Sequence, residues 1–149
     1  MTEKTIHILL VDDNLNEHFF FKHALVQIAR PVKFEALEGG LELIAHFKEE
    51  SNPLPDILFL DINMPLKNGK ECLSMLRADE RFDSVPIVMY STSDAQRDID
   101  ETYALGADLY VRKPNGIEAL RAMISSVIFI YDKNELKRSA KENYLLTAQ

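Results

Sequence analysis

Ile57-Leu58-Phe59-Leu60-Asp61 is a run of four large apolar residues that stops at a carboxylate. The turn chemistry of Ser51-Asn52-Pro53-Leu54-Pro55 bounds it upstream, so it reads as a short strand buried on both faces. Strands buried on both faces belong to parallel sheets covered by helices. The chain on either side agrees. Ile6 to Val11 is a second such run, ending in Asp12-Asp13-Asn14, and Val32 to Leu37, Ile87 to Tyr90 and Leu109 to Val111 read as further strands. Helical spacing fills the intervals. The first helix runs from Leu15 to Ala29, opened by Asn14 and Glu17 at the spacing of a variant capping box and closed by Pro31. The others run from Leu41 to Glu50, from Gly69 to Ala78, and from an N-cap at Asp94 to Leu105 before Gly106. The last carries Ile117, Leu120, Ile124, Val127, Ile128 and Tyr131 on one stripe. Strand and helix alternate five times, which predicts an α/β fold, a doubly wound parallel sheet with right-handed crossovers.

Residues 1–131 hold this pattern, and residues 132–149 are additional. Leu136, Ala140 and Tyr144 stand at i, i+4 and i+8, which predicts an extra C-terminal helix and no output domain. The whole chain, 149 residues with 46% apolar and 28% charged side chains, suits one globular domain. Its net charge of -7 argues against nucleic acid or an anionic membrane as the main partner. Cys72 is the single cysteine and forms no internal disulfide. No apolar stretch approaches the ~20 residues needed to span a bilayer, and no signal peptide is visible, so the expected location is the cytoplasm.

In open parallel sheets ligands bind beyond the carboxyl ends of the strands. Strand one ends in Asp12-Asp13, strand three in Asp61, strand four in Ser91-Thr92 and strand five in Arg112-Lys113-Pro114. Singly these are weak signals: an Asp pair after a strand is more often a helix N-cap, and a Lys-Pro is usually a turn. On four strand ends of one sheet they make a pocket of three carboxylates, a hydroxyl and an ammonium. Clustered carboxylates repel, and a hard divalent cation offsets that charge. Mg2+ prefers one or two carboxylates together with phosphate oxygens. Held at Asp13 and Asp61 it would neutralise an incoming phosphoryl group, with Lys113 adding fixed charge and Ser91 a donor. Carboxylates form aspartyl-phosphates, so Asp61 is the candidate nucleophile.

These residues resemble the receiver domains of two-component response regulators over residues 5–130. The resemblance rests on Val11-Asp12-Asp13-Asn14, Leu60-Asp61-Ile62-Asn63-Met64-Pro65, Ser91-Thr92, Gly106-Ala107 and Lys113-Pro114. Within the family the loop Met64 to Gly69, the Tyr90 to Ser93 run and the C-terminal extension are most similar to single-domain regulators of phytochrome-type sensor kinases. The resemblance implies a five-stranded sheet of flavodoxin-like order 2-1-3-4-5. It implies that Asp61 accepts phosphate from a sensor histidine kinase or phosphotransfer protein. Asp13, Asp61 and the Asn63 carbonyl would bind Mg2+, with Asp12 acting directly or through water. Lys113 would contact the phosphate, and Ser91 would be the switch hydroxyl, with Thr92 beside it narrowing access. Tyr110 would move inward when Ser91 engages the phosphoryl group, reshaping the face built by the fourth helix, fifth strand and fifth helix. Lys113-Pro114 would be a cis peptide, and Asn63 and Ser93 would tune phosphate lifetime.

Phosphorelay intermediate and terminal effector share this chemistry. A phosphatase forming an aspartyl-phosphate would want an acid two residues past the nucleophile, where Asn63 stands. A nucleotide or flavin module would want a Gly-rich turn in place of Asp12-Asp13-Asn14. His7, His18, His23 and His46 lack metal-ligand spacing. In Phe19-Phe20-Phe21 at most two rings can face the sheet. Phe129 and Ile130 lie off the main stripe of the last helix, and either the tail or a partner, such as a second copy in a homodimer, covers them.

Overall fold

The computed structural model describes residues 4–138 and 140–146. Five strands form in the expected places: β1 (Ile6–Val11), β2 (Val32–Leu37), β3 (Ile57–Leu60), β4 (Ile87–Ser91) and β5 (Leu109–Arg112). They pair in parallel in the order 2-1-3-4-5, with Ile8 beside Ile57, Leu58 beside Ile87 and Val88 beside Leu109. β3 is buried at every position, which is why its sequence shows no alternation. Side chains alternate across the sheet and divide the core in two. Ile8, Leu10, Phe59, Val88, Leu109 and Val111 face α1 (Leu15–Val26) and α5 (Ile117–Asp132). Leu9, Val11, Leu58, Leu60, Met89 and Tyr110 face α2 (Gly40–Lys48), α3 (Gly69–Arg77) and α4 (Gln96–Leu105).

The tail departs from expectation. Instead of a C-terminal helix, α5 stops at Asp132, and Asn134 takes a positive φ of 59° that no helix accommodates. A 3-10 turn at Lys141–Asn143 follows, and then a sixth strand, β6 (Leu145–Leu146), pairs in parallel with β5. Residues 139 and 147–149, also part of the predicted helix, lie outside the described residues. The i, i+4, i+8 spacing misled because Leu136 is buried against the α1–α5 layer and Tyr144 against the α2–α4 layer. One helical stripe cannot serve both faces of a sheet.

Smaller differences have local causes. Asn14 caps α1 by accepting from the Asn16 N–H (2.9 Å), while the Glu17 carboxylate turns away to the Tyr90 hydroxyl, so no capping box forms there. The reciprocal box forms instead on α3, between Asn68 and Glu71. Asp94 does not cap α4, whose N-cap is Ala95. The Ser93 hydroxyl takes the Ala95 N–H (3.2 Å), and Asp94 pairs with Arg112 at 3.4 Å. Of the three phenylalanines only Phe21 is buried, and Phe19 and Phe20 are exposed. No cis peptide occurs among the described residues, so the bond before Pro114 is trans.

One close approach fixes the strand end that matters. Gly69 opens α3 directly over the end of β3, and its N–H donates to the Ile62 carbonyl (2.8 Å). A Cβ at residue 69 would lie 2.0 Å from the Asp61 carbonyl oxygen and 2.7 Å from Ile62 Cα. Both obstacles are backbone, so no side chain can swing aside. Gly69→Ala is therefore expected to lower the unfolding free energy by about 1–3 kcal/mol, read from a urea titration. An unchanged midpoint would mean that the loop after Asp61 is free to move.

Candidate functional site

The strands deliver their terminal residues to one edge, as a parallel sheet must. Asp12, Asp13 and Asp61 each present a carboxylate oxygen, and these oxygens lie within 4.8 Å of one another. Asp12 and Asp61 are buried, whereas Asp13 stands on the exposed rim. From the end of β5, Lys113 reaches in. Its Nζ is 2.7 Å from Asp12 Oδ2 and 3.7 Å from Asp61 Oδ1. The backbone registers these ends, since the Asp61 N–H donates to Val11 O (2.9 Å) and the Lys113 N–H to Ser91 O (2.8 Å).

Burial and the neighbouring Asp12 charge, outweighing Lys113, push the Asp61 carboxyl up to about 7. One oxygen, Oδ1, is held by the Ile62 N–H at 2.9 Å. The Lys113 ammonium is pushed up as well: its burial opposes this, but the close Asp12 carboxylate and the charge of Asp61 outweigh it. Asp12 uses Oδ1 to accept from the Asn14 N–H (2.9 Å). Its Oδ2 is buried and meets the Lys113 ammonium off the line a good hydrogen bond needs. An under-used buried carboxylate oxygen, beside two further carboxylates and one ammonium, is a donor set suited to a hard divalent cation. Asn63 is exposed at the mouth, two residues past Asp61.

The two residues expected to act as a switch, Ser91 and Tyr110, are both buried. Ser91 is buried at the end of β4, its Oγ accepting from the Ser93 N–H (3.1 Å). Thr92 is exposed at the rim. Tyr110 is fully buried and points inward, its hydroxyl donating to the Ser93 carbonyl (2.8 Å). Burial raises its phenol above the ordinary range. Lys70 of α3 bridges Asp98 and Glu101 of α4, at 2.6 Å to each, and Asp98 in turn accepts from the Ser93 hydroxyl. Burial of Ile130 is partial, with Leu136 in the same cluster, whereas Phe129 is 61% exposed under the Lys133 ammonium at 4.5 Å. The tail thus takes one of the two off-stripe residues.

Three neighbours were not legible as site residues. His18 Nε2 lies 2.6 Å from the Asp12 carbonyl. The Tyr90 ring lies 5.3 Å from Lys113 Nζ, and its hydroxyl donates to Glu17 (3.1 Å). Their signal was positional only: Glu17 and His18 sit one turn into the helix that follows Asp12-Asp13, and Tyr90 directly precedes Ser91.

Comparison with known proteins agrees with this geometry. A family model described as the response regulator receiver domain matches residues 8–125. Response regulator Rcp1 of Synechocystis is 26% identical over 124 residues, covering 80% of this chain and 84% of Rcp1. Chemotaxis protein CheY1 of Helicobacter pylori strain J99 is 30% identical over 121 residues, covering 81% of this chain and 95% of CheY1. The phosphorylated cyanobacterial phytochrome response regulator RcpA superposes with a TM-score of 0.81 at 25% identity, over 91% of this chain and all of RcpA. The Mn2+-bound form of Rcp1 superposes at 0.76 and 24%, over 91% of this chain and 99% of that one.

The raised Asp61 carboxyl gives a signed expectation. The folded state holds this proton more tightly than the unfolded chain, so the stability it contributes is complete below about pH 4 and is lost as pH rises through about 7. Without metal at pH 8 the protein should therefore unfold more easily than Asp61→Asn, by roughly 4 kcal/mol. The gap should close at pH 4 or on addition of millimolar Mg2+. Equal stability of the two proteins at pH 8 without metal would contradict this electrostatic account.

Proposed function

The chain belongs to the response regulator receiver domain family, and from that premise we propose that it is a phosphorylation switch with Asp61 as the acceptor. The observation that carries this reading is the juxtaposition of the Asp61 carboxylate with Asp12, Asp13 and Lys113. The donor is a sensor histidine kinase or a phosphotransfer protein. An Asp61 oxygen attacks the phosphorus of a phosphohistidine, an O–P bond forms, the P–N bond breaks, and the imidazole leaves with the electron pair. The acyl phosphate formed carries more negative charge than the carboxylate it replaces, so the site must supply positive charge and donors.

Lys113 supplies part of that charge, and its ammonium is already held within reach by Asp12. Ser91 Oγ has a proton to donate to a phosphoryl oxygen, with Thr92 shaping the rim beside it. Asp12, Asp13, Asp61 and the Asn63 carbonyl would hold Mg2+, which when bound offsets the carboxylate and phosphoryl charge. The side-chain amide of Asn63 is far too weak an acid to protonate a leaving group, which disfavours turnover as a phosphatase. Phosphorylation then biases Tyr110 toward Ser91 and reshapes the α4-β5-α5 face for a partner. A homodimer through α5 and the tail fits the exposed Phe129 ring. The charge of -7 disfavours nucleic acid and anionic membranes, and no described helix is long and apolar enough to cross a bilayer. A cytoplasmic location follows from the proposed kinase partner.

Acetyl phosphate with Mg2+ should label the parent protein at close to one phosphate per chain and leave Asp61→Asn unlabelled, as read by intact mass. Lys113→Ala should slow labelling by roughly 10- to 100-fold, the loss of a single charged contact to the transition state. Full labelling of Asp61→Asn would remove Asp61 as the acceptor. Light scattering of the labelled and unlabelled forms checks the dimer, which a monomer in both states would exclude.

A further inference from the structure

The tail places an aromatic ring directly against the switch. Tyr144 is 1% exposed although, among the described residues, it is followed by a two-residue strand alone. Three attachments hold it. Its carbonyl accepts from the Tyr110 N–H at 2.9 Å. Its hydroxyl lies 2.7 Å from Thr102 Oγ1 on α4, and because Thr102 gives its own proton to the Asp98 carbonyl (2.7 Å), Tyr144 is the donor. Its ring meets Tyr103 and Tyr110 edge-on, with centroids 5.2 and 6.0 Å apart. Tyr110 is thereby enclosed. Inward it is tied to the Ser93 carbonyl, and with Tyr144 in place its ring is 0% exposed. To swing outward Tyr110 must break the bond to Ser93 and move into space that Tyr144 helps to fill.

We infer that Tyr144 is a positioning residue for the phosphoryl switch, holding Tyr110 inward so that tail docking and phosphorylation of Asp61 favour the same state. The inference rests on the acceptor reading above and adds to it a second input to the switch. Coupling of this kind is reciprocal: whatever the tail adds to the affinity of the phosphorylated state, phosphorylation adds to the docking of the tail. The tail is attached lightly enough to respond. Besides Tyr144 and the buried Leu136, it is held by a short strand, one 3-10 turn, the cation-π contact of Arg138 on Tyr103 (4.0 Å), and the exposed ion pair of Lys141 with Asp100. A partner that lifts the tail would release Tyr110, and phosphorylation would oppose that release.

The test uses full-length protein with two readouts. Beryllofluoride with Mg2+ is the stable phosphoryl mimic, and its affinity is compared in the parent, Tyr144→Ala, Tyr144→Leu and Tyr144→Phe. The Ala and Leu variants should bind roughly five- to tenfold more weakly, and Phe, which keeps the ring, should stay within about twofold of the parent. Leu retains apolar volume in case Ala fails to fold. In the second readout, fluorotyrosine NMR of the Tyr110 resonance, without beryllofluoride, should show greater solvent accessibility in Ala and Leu but not in Phe. Parent protein that does not bind beryllofluoride overturns the acceptor reading, and this inference with it. Parent binding with equal affinity in the Ala and Leu variants, or tighter binding in them, overturns the positioning role alone. So does a Tyr110 resonance that does not change.

Discussion

Charge compensation at the carboxyl edge of the sheet is the constraint on which the rest depends. Two buried carboxylates, Asp12 and Asp61, share one ammonium, that of Lys113, and a third carboxylate waits at the rim. Such a cluster is tolerable only if its members are fixed. A carboxylate with freedom to move would turn to water and leave the pocket empty of its chemistry. The parallel sheet supplies the fixity, because three strand ends and their ladder bonds set the spacing of Asp12, Asp61 and Lys113 before any side chain is placed. The close seat of Gly69 on the Asp61 carbonyl then locks the loop from the other side. The site's excess negative charge is thus held in place by backbone, and this leaves it ready for a cation and a phosphoryl group.

Much of this was legible in the sequence. Buried parallel strands announce themselves as short apolar runs, so β1 and β3 were placed to the residue, as was the half-exposed edge strand β2, and the acidic and basic strand ends followed from the topology. What was illegible depends on contacts between distant segments. Nothing local to Gly69 says that a backbone will pass 2.0 Å from where its Cβ would be. Glu17 was equally available to an N-cap or to Tyr90, and only the packing of α1 on β4 decides. The C-terminal helix failed for the same reason. Its apolar spacing was real, but Leu136 and Tyr144 serve opposite faces of the sheet, and helical periodicity carries no information about a chain that crosses an edge.

That crossing bears on how a change at Asp61 can travel. Side chains on β5 alternate, so Tyr110 points toward α3 and α4 while Leu109 and Val111 point toward α1 and α5. A rotation of Tyr110 therefore acts first on the α4 side, where Thr102, Tyr103 and the Lys70 bridge to Asp98 and Glu101 lie. The exposed Phe129 belongs to α5, on the opposite layer, and no side chain of β5 points both ways. The tail does span the two. It leaves α5 beside Ile130, buries Leu136 in the α1–α5 layer, rounds the β5 edge and buries Tyr144 in the α2–α4 layer. A covalent segment anchored in both layers joins the movement of Tyr110 to the surface of α5 more directly than packing through the sheet, whose interior is filled and resists deformation. The tail, with Leu136 in one layer and Tyr144 in the other, is the one segment after α5 among the described residues that is buried on both sides of the sheet.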